Sequence, residues 1–188
     1  MNLILDELPV ISPNGYKLST DFRNAMRFEI LMQDNKIDKE LKIKLALNLF
    51  YEDIPSDVIK AINDVIWFYS GEDNKLVKEN KKTSNNSFSR GIYSFEFDSE
   101  YIFSAFLDQY GIDLNSIEYL HWWKFKAMFK SLKEDNQIVK IMGYRAIDLS
   151  KIKDKDERKR YKELKKVYAL PDMRTKEQKE RDFGNAFW

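Results

Sequence analysis

Residues 116–132 read SIEYLHWWKFKAMFKSL, the densest aromatic stretch of the chain. Within it Trp122, Phe125, Phe129 and Leu132 recur at i, i+3, i+7 and i+10, which puts them on one face of a helix. Lys126, Lys130 and Lys133 share another face. That is the pattern of a helix with an apolar stripe turned inward and a basic edge in water. Ser116 is its expected N-cap. Aromatics interleaved with lysines can also stack the bases of single-stranded nucleic acid. Because these follow the helical period, they are assigned to the core. His121 has no companion base or nucleophile nearby in sequence, so it reads as a partly buried hydrogen-bonding residue rather than a catalyst.

The same period recurs on both sides of this stretch. Downstream, residues 136–147 form a short helix with Ile138, Ile141 and Met142 apolar, and residues 154–169 a charged amphipathic one with Tyr161, Leu164 and Tyr168 as its stripe. Pro171 ends it, and residues 172–183 can continue as a fraying helix. Upstream, Asp98 or Ser99 opens a helix through Tyr110, with Ile102, Phe103, Phe106 and Leu107 inward and Gly111 closing it. Tyr93, Phe95 and Phe97 alternate with polar residues, as a short strand or an arm leading into that helix would.

Nearer the N-terminus, Ser19 or Thr20 caps a helix carrying Phe22, Met26 and Ile30. Asp38 caps a second, with Leu41, Leu45 and Leu49 as the inward stripe and Ile43, Leu47 and Phe50 widening it. Pro55 stops that run, and Ser56 or Asp57 caps a third helix. Its inward set is Val58, Ile62, Val65, Ile66 and Tyr69, with Gly71 at the C-terminal cap. Residues 1–18 are a turn-rich arm around Pro13-Asn14-Gly15, with room for a short strand or hairpin. The fold class is therefore all-α, with six to seven helices.

Residues 72–91, EDNKLVKENKKTSNNSFSRG, are polar and lack a period. They read as a flexible linker or loop. This divides the chain into 1–71, an arm plus a three-helix unit; 92–170, a second helical unit; and 171–188, a charged tail with an aromatic end. One combined domain over 188 residues is also compatible with the pattern.

Composition removes much of the catalytic repertoire. The chain has no Cys and one His, which excludes disulfides, thiolate nucleophiles, Cys-ligated metals and paired-histidine zinc motifs. Its six Gly never approach the spacing of a dinucleotide or phosphate loop. The acid pairs Glu52-Asp53, Glu72-Asp73 and Glu134-Asp135 fall at helix ends and turns, where they read as capping rather than metal chemistry. No enzyme, no cofactor and no metal is expected. The start, MNLILDELPV, lacks the features of a signal peptide, and no apolar run approaches the ~18 residues of a membrane span. The expectation is a soluble intracellular protein with no membrane contact.

The net charge of +1 is unevenly spread. Residues 151–170 carry nine basic and four acidic side chains, among them Arg158, Lys159, Arg160, Lys162 and Lys166. Such a helix is a solvated face, a site for an acidic protein surface, or a phosphate-backbone contact. The near-neutral whole argues against nucleic acid. Asp154 and Arg158 have the spacing of an i,i+4 ion pair. At the end, Phe183, Phe187 and Trp188 are either docked on the domain or a partner-binding hook.

Several blocks in fixed order carry a family resemblance. Asp98 to Leu114, with Ile102, Phe106, Tyr110, Gly111, Ile112, Asp113 and Leu114, is followed by Leu120-His121-Trp122-Trp123-Lys124-Phe125. Then come Ile141-Met142-Gly143-Tyr144-Arg145, Asp148-Leu149, Glu157-Arg158-Lys159-Arg160-Tyr161 and Leu164-Lys165-Lys166-Val167-Tyr168. Together they resemble the bacteriophage "gene product 15" family of tailed phages and prophages of Gram-positive bacteria. Leu8-Pro9, Tyr16 and Thr20-Asp21-Phe22-Arg23 fit its N-terminal half less specifically.

The resemblance implies a tail-assembly protein, a chaperone-like adaptor that binds the tape-measure protein and helps recruit the major tail protein. It implies self-association on that partner, action in the host cytoplasm, and absence from the finished virion. The rival reading within the same family is a structural tail component or connector. The family supplies no catalytic residues. Its signature residues Tyr110, Gly111, His121, Trp122, Trp123, Lys124, Phe125, Gly143, Tyr144, Arg145 and Tyr161 are expected to be structural. Partner contact is expected from Arg158, Lys159, Arg160, Lys162, Lys166, Phe187 and Trp188.

Overall fold

Seven α-helices account for the regular structure of the computed structural model, which describes residues 2–71 and 91–172. They are α1 (Phe22–Gln33), α2 (Lys39–Phe50), α3 (Val58–Ser70), α4 (Ser99–Tyr110), α5 (Trp122–Lys130), α6 (Gln137–Ala146) and α7 (Lys155–Val167). A single 3-10 turn, Leu149–Lys151, joins α6 to α7. No strand or sheet occurs among the described residues, so the chain is all-α. The 72–90 segment and the fraying helix expected beyond residue 172 lie outside them.

Five of the seven helices start at an acceptor side chain that takes a first-turn N–H, whereas α4 and α6 have no side-chain cap. Asp38 accepts from the amides of Glu40 and Leu41, and Asp57 from that of Lys60. The first helix is capped by Asp21 and not by Ser19 or Thr20: Asp21 Oδ1 takes the Arg23 amide at 2.9 Å. A carboxylate at this end also meets the positive pole of the helix, which a hydroxyl cannot do as strongly.

The aromatic helix α5 differs from expectation in the same way. It starts at Trp122, not after Ser116, and its cap is His121, whose Nδ1 accepts the Trp123 amide at 3.1 Å. The starts of α1 and α5 are tied together. Phe22 donates to Leu120 O and Trp122 to Thr20 O, both at 2.9 Å, so Asp21 and His121 form an antiparallel bridge. Residues 116–120 are therefore spent on this crossing and on turns rather than on helix.

Helix α1 packs on α2 and on α5, α2 packs on α3, α4 packs on α6, and α6 packs on α7. One hydrophobic core contains side chains from both sides of residues 72–90, from Leu18 to Ile138. At its centre aromatic rings stack in sequence: Phe22 on Phe125 at 5.1 Å, Phe125 on Phe106 at 4.8 Å, and Trp122 on Phe125 at 5.7 Å. The inward stripe of α5 is the expected one, since Trp122, Phe125, Phe129 and Leu132 are all buried.

The inward faces of α2 and α3 are only partly the expected ones: Leu47, Phe50 and Val65 are buried and Leu49, Ile62 and Tyr69 pack against the core as expected. Helix α2 buries Ala46, Leu47 and Phe50, while Leu41, Leu45 and Ile43 are exposed. Helix α3 buries Ala61, Asp64, Val65 and Phe68 and leaves Val58 and Ile66 exposed. Both helices are apolar on more than one side, so periodicity alone does not choose the buried side. Leu107 of α4 and Phe97 of the preceding arm are likewise exposed, although Tyr93 and Phe95 are buried.

The N-terminal arm is held by a buried acid. Asp64 of α3 accepts from Ser12 Oγ at 2.6 Å and Asn14 Nδ2 at 2.8 Å. Gly15 takes φ +85°, a left-handed value that glycine adopts without strain, and Ile11 and Lys17 pair across the turn.

Candidate partner-binding surface

Most of the signature residues are spent on holding helix ends. The last carbonyls of α3 lack intrahelical partners. They accept from α5 instead: Trp122 Nε1 donates to Tyr69 O at 2.9 Å, Trp123 Nε1 to Phe68 O at 2.7 Å, and Lys126 Nζ to Ser70 O at 2.8 Å. A lysine at a helix C-terminus also meets the negative pole of its dipole. Lys126 is thus buried, and the solvated basic edge expected on α5 keeps only its neighbours Lys130 and Lys133 in the open. Lys124 is exposed. Gly71 follows α3 at φ +66°, and a Cβ there would lie 3.3 Å from Lys126 Nζ.

Tyr110 donates from its hydroxyl to Met128 O at 2.8 Å, and Gly111 closes α4 in the left-handed conformation. Arg145 is a hub. It pairs both guanidinium ends with Asp98, at 2.6 and 2.9 Å, and donates to Ile92 O and Tyr168 O. Asp98 consequently does not cap α4; its Oδ2 takes the Ser94 amide and the Arg145 guanidinium. Nothing in the structure requires glycine at 143, where a Cβ would meet open space.

His121 is a structural residue with a proton of known place. Because Nδ1 accepts from Trp123, the proton sits on Nε2, which donates to Pro9 O at 3.2 Å. Burial pushes the imidazole below its ordinary value near 6.5, with the Pro9 carbonyl acting in the opposite sense. The unfolded chain therefore binds a proton more readily than the folded one. Stability is full above about pH 6.5 and falls as the pH drops through the depressed folded value. Thermal melts should show a loss between pH 7 and 5 that His121→Asn, which keeps a capping acceptor, flattens. Glu29, whose carboxyl is raised by burial, contributes with the opposite sign, and the comparison with the variant cancels it.

Helix α7 differs from the others in burying no residue. It rests on α6 through half-buried Tyr161, Leu164 and Tyr168, with the Tyr144 ring stacked on Tyr168 at 5.7 Å and tilted on Tyr161 at 6.3 Å. Lys165 Nζ secures the junction by donating to Ile147 O at 2.9 Å. Lys155, Lys159, Lys162 and Lys166 lie opposite that stripe by the helical period, Arg158 lies about a quarter-turn to one side of it, and all are exposed. Arg160 is exposed but projects to one side of this row. Asp154 caps the helix at the Glu157 amide, and Arg158 Nε donates to Ile152 O, so the i,i+4 pair expected between them is not made. Phe183, Phe187 and Trp188 lie outside the described residues.

An apolar cleft of about 240 Å³ opens between α1 and α4, lined by Phe22, Met26, Phe95, Ile102, Phe103 and Leu114. Its charged wall residue, Arg23, is occupied by Asp21 and by the carbonyls of Leu114 and Ile117. Among the described residues no group of His and acidic side chains could hold a metal ion, and no helix is long and apolar enough to cross a membrane.

The family model for the bacteriophage Gp15 protein matches residues 4–170 of this chain. No curated protein and no solved structure matches it.

Proposed function

The chain belongs to the bacteriophage Gp15 protein family, a group of phage structural or assembly-related proteins, and from that premise we propose that it is a chaperone-like adaptor of tail assembly. In this reading it binds the tape-measure protein in the host cytoplasm, keeps it soluble, recruits major tail protein subunits around it, and is left out of the finished virion. It works by binding and not by catalysis.

The observation that carries the reading is the outward row of Lys155, Lys159, Lys162 and Lys166, flanked by Arg158 and Arg160, on a helix with no fully buried residue. A long helical polypeptide awaiting assembly exposes apolar and charged stripes. An adaptor must hold such a chain and then release it. A basic helix anchored through one tyrosine-rich face offers many weak, salt-sensitive contacts to an acidic partner surface, which suits transient holding. The near-neutral balance of the whole chain, net +1, limits stickiness elsewhere.

The triple charge reversal Arg158→Glu, Arg160→Glu, Lys162→Glu tests it. These side chains are exposed, so the melting temperature should change little, while co-purification of a tape-measure fragment should fall at least tenfold and the wild-type complex should weaken with added salt. Unchanged binding in the folded variant removes α7 from the interface. Detection of the chain in purified particles would favour a connector role instead.

A further inference from the structure

Helix α2 carries a stripe that the core does not use. Leu41 and Leu45 sit at i and i+4, are 45% and 37% exposed, and lie opposite the buried Ala46 and Phe50. On α3, Ile59 and Ile66 are 73% and 45% exposed and lie opposite the buried Ala61 and Phe68. Because α2 and α3 pack against each other and turn their inner faces to the same core, these outer stripes share the outer surface of the pair.

We propose that this aliphatic face of α2 and α3 is a docking surface for an amphipathic helix flanked by acidic side chains. These four side chains expose roughly 350 Å² of aliphatic surface, in the size range of the largest apolar patch on a monomer, which is often functional. It is smaller than the ~800 Å² per partner that a stable dimer buries, so it suits one helix better than a second copy. The charge points the same way. On α2 the stripe is bordered by half-buried Lys42, whose Nζ also donates to Met32 O at 3.0 Å, and by exposed Lys44, and the helix carries Lys39, Lys42 and Lys44 against one acid, Glu40. Two copies meeting through this face would oppose lysine to lysine. A helix with leucines at i, i+3, i+4 and i+7 and glutamates beside them would bury the stripe and meet both lysines. The surface is distinct from α7 and does not depend on it.

The test uses the full chain and two synthetic helical peptides of about 21 residues. Both carry the same leucine stripe, one bordered by glutamates and the other by lysines. Fluorescence anisotropy should show saturable binding of the glutamate peptide and at least tenfold weaker binding of the lysine peptide. The variant Leu41→Ser, Leu45→Ser, Ile59→Ser, Ile66→Ser should lose binding with its circular dichroism unchanged. Lys42→Glu with Lys44→Glu, which leaves the apolar stripe intact, should reverse the preference between peptides. The proposal is overturned by no saturable binding of the glutamate peptide, by equal affinity for both, or by a charge-reversed variant that binds like wild type. It is overturned too if light scattering finds a dimer that the serine variant dissociates, because a second copy then covers the face.

Discussion

Replacing Arg145 by alanine is expected to destabilise the protein by about 3–5 kcal/mol, the cost of leaving one member of a buried ion pair alone. The Arg145 and Asp98 side chains are only 7% and 2% exposed, and the guanidinium meets the carboxylate through two hydrogen bonds. Its other donors hold Ile92 O and Tyr168 O, so one side chain fastens the arm before α4, the start of α4 and the end of α7 to α6. Truncation strands the Asp98 carboxylate in the core and frees three segments together. Lysine should not rescue, because an ammonium cannot reproduce the forked geometry. The double change Asp98→Leu with Arg145→Met should recover much of the loss, since neither charge then remains to be buried. Urea unfolding of the four proteins measures this. A loss below 1 kcal/mol in Arg145→Ala would contradict the hub assignment.

Trp122→Ala should cost a similar ~3–5 kcal/mol, through lost transfer free energy and the cavity left behind. Trp122 is 0% exposed, stacks on Tyr69 at 5.6 Å and Phe125 at 5.7 Å, and caps the end of α3 through its indole N–H. Its near neighbour in the same signature block gives the contrast. Lys124 is exposed, and Lys124→Ala should stay within about 0.5 kcal/mol of wild type. If the block Leu120 to Phe125 is scaffold, stability should track burial residue by residue across it. A Trp122→Ala protein as stable as wild type would instead place the indole at a functional surface.

The helical class was legible because Trp122, Phe125, Phe129 and Leu132 obey one period and have no rival face. Helix α2 shows where that reasoning runs out. The spacing of Leu41, Leu45 and Leu49 is as regular as any in the chain, yet only Leu49 of the three packs on the core, which is filled from this helix by Ala46 and by Leu47 and Phe50 from the edge of the expected stripe. Which apolar side is buried depends on where α1 and α3 sit, and that is a long-range property. The cap at His121 was missed because serine is the stronger local signal, while the crossing with Thr20 and Asp21 fixes the helix start from 100 residues away in sequence. Arg145 was expected to be structural only through the family resemblance, and its partner, like the burial of Lys126, was not legible for the same reason: a buried charge is recognised by its partners, and Asp98 and Ser70 lie far along the chain. The basic row of α7 was readable from composition alone because exposed charge needs no partner to be placed.

The most direct test of the tail-assembly reading is light-scattering chromatography of this chain alone and co-expressed with a tape-measure fragment from the same genome. The account predicts a fragment that is insoluble alone and elutes with this chain as a soluble complex of defined mass. A fragment that is soluble alone and never co-elutes would contradict it.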